Sequence, residues 1–586
     1  MSAPSEHFPL SCVTESRLTS CPMSQNFARV VLILTVAFFA TFFLWPILQI
    51  LKEGFVDANG HFTLRYLGAL LADPLYRGGL VNSFLLACAT TTIAFAIAMP
   101  LSFISDRFIF PAKNLLSSLV LVPMILPPFV GAIGIKQIFG QYGAVNALIV
   151  ALGLEPAGWT FDWFAANQFW GIAIIQSLSL YPIIYINAVA ALANIDPAME
   201  EAAQNLGCTS FRRFFKITLP LIRPGLFAGG TIVFVWAFTE LGVPLIFDYP
   251  SVTSVQIYYG LKDIGSNPLP YALVTVMLTS TVGLYALGKG LFGRQGHAMM
   301  AKATSAGGPR AISRRRQFFC TALFTSVTLV AVLPHLGVIL VAFSNDWYGS
   351  VVPHHYTLEN FRIALGHDLT VPAIANSLKF ASLSTLVDIV LGIAIAYVIV
   401  RTKFVARHAL DFLAMLPLAV PGIVLAFGYL AMSQPGRFFH FLNPIENPTI
   451  LLIIAYSVRR LPYVVRSAAA GFEQTSVTLE EAAQNLGAPP LRATFRATLP
   501  LITANLIAGG LLAFSFAMLE VSDSLILAQK QVYYPITKAI MALFELLGDG
   551  KFIASALGVW AMAFLGVAIV GLGILLGKKL GAIFRV

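Results

Sequence analysis

The chain has 586 residues, of which 58% are hydrophobic and only 11% charged, with a mean hydropathy of +0.80. So little charge cannot cover a soluble surface, and so apolar a composition excludes a disordered chain. The formal charge of +10 does not read as a nucleic-acid footprint, because the cations sit in short loops between apolar stretches and form no basic stripe.

A membrane span needs about 20 apolar residues. Residues 1–28 read as a polar tail, followed by Val30–Leu51, too long for the apolar core of a signal peptide and so expected to be an uncleaved first span. Gly79–Ile104, Leu115–Ile135, Phe164–Ile195, Pro224–Phe247 (interrupted by Glu240) and Asn267–Gly288 complete a first set. A polar stretch over 293–317 follows. The second set is Gln317–Asn345, Phe380–Val400 (interrupted by Asp388), Phe412–Gly436, Asn447–Ala470 (interrupted by Arg459, Arg460 and Arg466), Thr498–Leu519 with an extension to Ala528, and Phe552–Gly577. The expected class is an all-α membrane protein with about 12 transmembrane helices. An even number puts both termini on one side. The larger share of the 37 Lys and Arg residues falls on the inner face if both termini are cytoplasmic.

The chain repeats itself. Glu200-Glu201-Ala202-Ala203-Gln204-Asn205-Leu206-Gly207 recurs unchanged as Glu480-Glu481-Ala482-Ala483-Gln484-Asn485-Leu486-Gly487. At the same offset Thr218-Leu219-Pro220-Leu221-Ile222 recurs as Thr498-Leu499-Pro500-Leu501-Ile502, and Glu240 matches Glu520. Upstream, at a larger offset, Asn82-Ser83 matches Asn376-Ser377, Arg107 matches Arg401, and Pro123 and Pro127 match Pro417 and Pro421. Each copy holds six spans in the same orientation, so the copies are two parallel six-helix repeats. The expected division is a tail (1–28), a first domain (29–292), a flexible cytoplasmic linker (293–317) and a second domain (318–586).

The loop between the fourth and fifth spans of each copy predicts a short polar helix. Asp196 is a good N-cap with Pro197 behind it, and Gly207 is the stop; Ser476 and Gly487 take those places in the second copy. Leu219-Pro220 and Leu499-Pro500 mark the return toward the bilayer.

Glu-Ala-Ala, a Gly shortly after and then Leu-Pro, present twice, resembles the EAA motif of permease subunits of binding-protein-dependent ABC importers with the type I fold. The likeness covers nearly the whole chain. It implies that Glu201, Ala202 and Gly207 form one element docking on an ATP-hydrolysing subunit, and Glu481, Ala482 and Gly487 the other. Glu offers charge to a basic partner, Ala permits close approach, and Gly a sharp exit. Two elements imply two copies of a cytoplasmic ATPase subunit, and the family implies an extracytoplasmic solute-binding protein and a bacterial inner-membrane location. The chain itself has no G-x-x-x-x-G-K-[ST], the nearest string being Gly548-Asp549-Gly550-Lys551-Phe552, so ATP and Mg belong to the partner subunits.

A charge at the bilayer centre costs about 2.5–3.5 kcal/mol on insertion scales. Glu240, Glu520 and Asp523 read either as a gate or cation contact on a central pathway, or as carboxylates paired with donors in the bundle. Arg459, Arg460 and Arg466 read either as a positive cavity for an anionic solute, or as residues near the inner interface that snorkel or pair with the docking loop. Pro462 is expected to kink their helix. Asp388 matches Ala94 and has no assigned role.

Leu519-Glu520-Val521-Ser522-Asp523-Ser524 is similar to fused twelve-span permeases of iron(III) and 2-aminoethylphosphonate importers, with thiamine and polyamine systems near by. The function implied is a transport subunit with no catalytic residues and no bound cofactor. Two rival classes are a 6 + 6 secondary transporter driven by an ion gradient, and a membrane enzyme. The second has little support: the scattered cysteines show no metal-ligand spacing, there is no H-E-x-x-H, and no metal site is expected.

Overall fold

The computed structural model describes residues 22–57, 59–125, 127–164, 167–263, 267–292 and 310–576. Most of the expected tail and most of the expected linker lie outside the described residues. The first repeat runs through α1 (Asn26–Phe55), α2 (Pro74–Arg107), the bent pair α3 (Lys113–Met124) and α4 (Pro128–Ala151), α5 (Gln168–Ala193), the short α6 (Pro197–Asn205), α7 (Ser210–Ile246) and α8 (Leu269–Gly288). The second runs through α9 (Arg314–Ala342), α10 (Thr370–Arg401), the bent pair α11 (Arg407–Ala419) and α12 (Gly422–Met432), α13 (Thr449–Gln474), the short α14 (Thr478–Asn485), α15 (Pro490–Met518) and α16 (Gly550–Ala568).

Among the described residues nine helices are long and apolar enough to cross a membrane, or up to 11 if each bent pair is one span. The expected twelve differ in two ways. The third span of each repeat is broken at proline, by 94° between α3 and α4 and by 98° between α11 and α12. Pro127-Pro128 and Pro421 remove backbone donors there and push the preceding residue out of helical geometry. α13 is long enough, but its three arginines take it below the hydropathy of a span; it continues unbroken through Pro462.

Leu-Pro does not end the loop between the fourth and fifth spans as a turn. One-turn π-helices at Phe214–Thr218 and Thr494–Thr498 sit just before Pro220 and Pro500, as another at Ala40–Leu44 precedes Pro46. Widening one turn accommodates the ring and missing N–H of proline, so α7 and α15 run through.

In each repeat the second, fourth and fifth spans pack together: α2, α5 and α7 in the first, α10, α13 and α15 in the second. The first and last spans cross over. α1 and α8 pack on α12 of the second repeat, while α9 and α16 pack on α4 of the first. Glycine permits the crossing. A Cβ on Gly428 would stand 2.9 Å from the carbonyl oxygen of Pro46, and one on Gly337 2.8 Å from the carbonyl carbon of Gly134. Small residues let helices approach where lipid supplies no hydrophobic drive. Tyr429 donates to the Phe42 carbonyl at 2.7 Å, and Arg437 donates to Gln49 and Glu53, fastening α1 to its partner repeat.

The expected linker is partly structured. Arg310–Ala311 pair in parallel with Phe108–Ile109, and α9 begins at Arg314. This pairing puts the start of α9 at the Arg107 end of the bundle. Since α9 leads away and α10 returns, Arg401 lies at that same end.

Candidate functional site

Both short polar helices expected in the loops form, the first at the expected cap and the second slightly later. Asp196 caps α6 by accepting from the Ala198 N–H at 2.9 Å. In the second copy the helix begins two residues beyond Ser476. Val477 is the capping position, and the Ser476 hydroxyl accepts from the Thr478 N–H at 3.3 Å. At the far end Gly207 and Gly487 adopt φ of 78° and 89°. The Cys208 N–H reaches the Ala203 carbonyl and the Ala488 N–H reaches that of Ala483, closing the same left-handed stop twice.

Glu201, Ala202, Glu481 and Ala482 are exposed, as are Gly207 and Gly487. Around them lies a repeated apolar set: Met199, Leu206, Phe211 and Phe215 in one copy, Leu479, Leu486, Leu491 and Phe495 in the other. Leu206 is 88% exposed and Leu486 91%. Exposed apolar groups thus stand beside a carboxylate at one end of the bundle, twice over.

The preceding glutamate of each doublet does the opposite, a role sequence reasoning missed. Glu200 is 8% exposed and Glu480 4%. Arg107 Nη2 donates to Glu200 Oε1 at 2.6 Å, and Thr218 donates to the same oxygen at 2.8 Å. Arg401 Nε donates to Glu480 Oε1 at 3.1 Å, and Thr498 at 2.7 Å. The signal was present, for all three residue types lie in the repeated set.

The intramembrane charges come together in the second repeat. Arg459 Nη1 donates to Glu520 Oε1 at 2.6 Å and to Asp523 Oδ2 at 3.2 Å. Arg460 Nη2 donates to Glu520 Oε2 and to the Phe516 carbonyl, the latter at 3.0 Å. Neither arginine pairs with the loop that carries α14, which corrects that expectation. Arg466 lies apart, 3.4 Å from Asp411. Asp388 is fully buried and accepts from the Ser457 hydroxyl at 2.6 Å.

Glu240 has no cationic partner among the described residues; its Oε1 accepts from the Gly242 N–H at 3.1 Å. The arginine positions of the second repeat are Ser179 and Leu180 in the first. Both carboxylates nevertheless sit at breaks in α7 and just beyond α15, where the backbone leaves helical geometry. The repeated Asn-Ser pairs hold the chain that follows. Asn82 donates to the Ser251 carbonyl and Ser83 accepts from the Thr253 N–H; Asn376 donates to the Val532 carbonyl and Ser377 accepts from the Ile536 N–H.

The family described as binding-protein-dependent transport system inner membrane component matches the chain twice, over residues 65–289 and 388–575. A putative ferric transport system permease protein of Haemophilus influenzae is 25% identical over 528 residues, covering 86% of this chain and 79% of that one. The ferric transport system permease protein of Actinobacillus pleuropneumoniae is 26% identical over 475 residues, covering 78% and 64%. A putative 2-aminoethylphosphonate transport system permease protein of Salmonella typhimurium is 24% identical over 261 residues, covering 44% of this chain and 89% of that one. With two matched segments that fall on the two repeats read from the sequence and packed in the structure, the chain belongs to the binding-protein-dependent transport system inner membrane components and is a multi-pass permease subunit of an ABC importer.

Proposed function

We propose that the chain forms the whole translocation pathway of an importer for iron(III), as two fused permease domains (29–292 and 318–586) with cytoplasmic termini. Two copies of an ATPase subunit dock on α6 and α14, through Glu201, Ala202 and Gly207 and through Glu481, Ala482 and Gly487. The observation that carries this reading is the twin exposed carboxylate flanked by apolar side chains at one end of the bundle. A pseudo-twofold pair of surfaces suits a symmetric pair of subunits. Energy from ATP binding then moves the two interlocked halves between inward- and outward-open states while this chain makes and breaks no bonds. The ion-gradient alternative is not favoured, because both halves match the family.

Iron(III) is supported by the ferric permeases that align along most of the chain. A 2-aminoethylphosphonate is the second reading, supported by a relative aligning with less than half of it. The arginines no longer argue for an anion, since both are engaged by carboxylates. Of the two readings of the intramembrane charges, the ion pairs of Glu520 and Asp523 with Arg459 and Arg460 support carboxylates held by donors in the bundle, and leave Glu240 as the gate residue without a cationic partner among the described residues.

Reversing charge at both docking helices (Glu201→Lys with Glu481→Lys) removes the ATPase subunits from the purified complex and abolishes ATP-dependent uptake. If the subunits still co-purify and uptake persists, the docking assignment is wrong. Uptake of iron(III) or 2-aminoethylphosphonate in the presence of the binding protein chooses between the solutes.

A further inference from the structure

Each docking helix is short and polar, and by itself would swing on its two connecting loops. A push on such a helix would be absorbed by the loop. The structure contains a device that prevents this, built from the same three residue types in both repeats and not part of the exposed docking surface.

In the first repeat, Glu200 points from α6 into the bundle and gathers two donors on one oxygen: Arg107 at the end of α2, and Thr218 in the π turn of α7. Arg107 also meets Asp106 at 3.0 Å and lies over the Phe103 ring at 6.0 Å. In the second repeat, Glu480 of α14 gathers Arg401 from the end of α10 and Thr498 from the π turn of α15. Arg401 further donates to the Thr475 carbonyl at 2.7 Å and lies over the Phe472 ring at 5.7 Å. The Arg401 and Glu480 side chains are each 5% exposed, against 23% and 10% for Arg107 and Glu200.

We propose that Arg107–Glu200–Thr218 and Arg401–Glu480–Thr498 are positioning clasps that fasten each docking helix to two spans of its own repeat, so that force applied at the helix moves the bundle. This rests on the docking reading above and adds the route of transmission. The division of labour follows from helix geometry: adjacent residues on a helix point about 100° apart, so Glu201 and Glu481 face outward while Glu200 and Glu480 face in. The charged pair resists displacement because opening it strands a charge in a poorly hydrated site. The hydroxyl completes the carboxylate oxygen's partners and ties in the fifth span. The second clasp is the more deeply buried, and Arg401 is steadied by the Thr475 carbonyl where Arg107 is steadied by Asp106.

The test uses the complete importer (this chain, ATPase subunits and binding protein) in proteoliposomes supplied with iron(III), or with 2-aminoethylphosphonate if iron is not carried. In the variant Arg107→Gln with Arg401→Gln, the ATPase subunits stay bound and ATP is still hydrolysed. Solute carried per ATP falls about tenfold. The exchanged pairs, Arg107→Glu with Glu200→Arg and Arg401→Glu with Glu480→Arg, recover a large part of that loss. Thr218→Val with Thr498→Val, which keeps the ion pairs, gives a smaller loss of the same kind and serves if the glutamine variant does not fold. Unchanged solute per ATP, or loss of the ATPase subunits from the complex, overturns the clasp. Hydrogen exchange on this chain alone separates the two readings: amides of 198–206 and 479–486 exchange faster in the glutamine variant whether or not any ATPase docks there. Unchanged exchange also overturns the clasp, whereas failure of the docking reading shows only in the Glu201 and Glu481 variants.

Discussion

Arg459 and Glu520 meet at 2.6 Å between α13 and the break that follows α15, with Glu520 sharing its other oxygen with Arg460. The pseudo-twofold copy of Glu520 is Glu240, whose carboxylate meets no cation among the described residues and accepts instead from backbone, the Gly242 N–H at 3.1 Å. One position, duplicated, therefore carries two electrostatic environments.

Neutralising the two carboxylates must then have unequal effects. Glu520→Gln leaves two arginines facing a carboxamide, and breaking such a buried pair costs about 3–5 kcal/mol. Glu240→Gln keeps an acceptor for Gly242 and costs about 1 kcal/mol or less. Thermal unfolding of the two purified variants in the same detergent reads the difference. Equal shifts would mean that the second-repeat cluster does not hold its members together.

The crossing of α1 over α12 depends on the absence of a side chain at Gly428. Gly428→Ala drives a methyl against Pro46 and destabilises the protein by about 1–3 kcal/mol. Gly68 lies in a helix with nothing within 4 Å of an added Cβ. Gly68→Ala is therefore neutral or stabilising, by up to about 1 kcal/mol. A lower unfolding temperature for the first and not the second is the expected result.

Gly207 and Gly487 have open space around an added Cβ, so replacing them strains only the backbone. Alanine at either costs about 1–2 kcal/mol through its left-handed φ, and asparagine less. Uptake is expected to follow the order Gly, Asn, Ala at both positions, with faster amide exchange in the helix just before the substituted residue. If alanine matches glycine, the stop is not what shapes the loops that carry α6 and α14.

Legibility differed among the site residues for a physical reason. The glycine stops and the Asp196 cap were readable because each is decided within one helical turn. Repetition singles out Glu201 and Glu481, and the structure leaves both exposed. Glu200 and Glu480 stood beside them in the same string, but their burial depends on Arg107 and Arg401, which are far away in sequence and reach them only once α2 packs on α5 and α10 on α13. The partners of Arg459 and Arg460 were hidden in the same way: insertion cost says that a buried arginine needs a carboxylate, not which one.

Composition, hydrophobic run lengths and internal repetition by themselves determined that this is a helical membrane protein of two parallel copies with a polar helix projecting twice from one end, because those properties are local or additive along the chain. Only the tertiary structure decided that the third span of each copy bends at its prolines, that the first and last spans of one copy embrace the bent span of the other, and which charges neutralise one another. Those outcomes depend on backbones approaching closely at Gly134 and Gly428 and on side chains meeting across different helices, distances that a one-dimensional string does not contain.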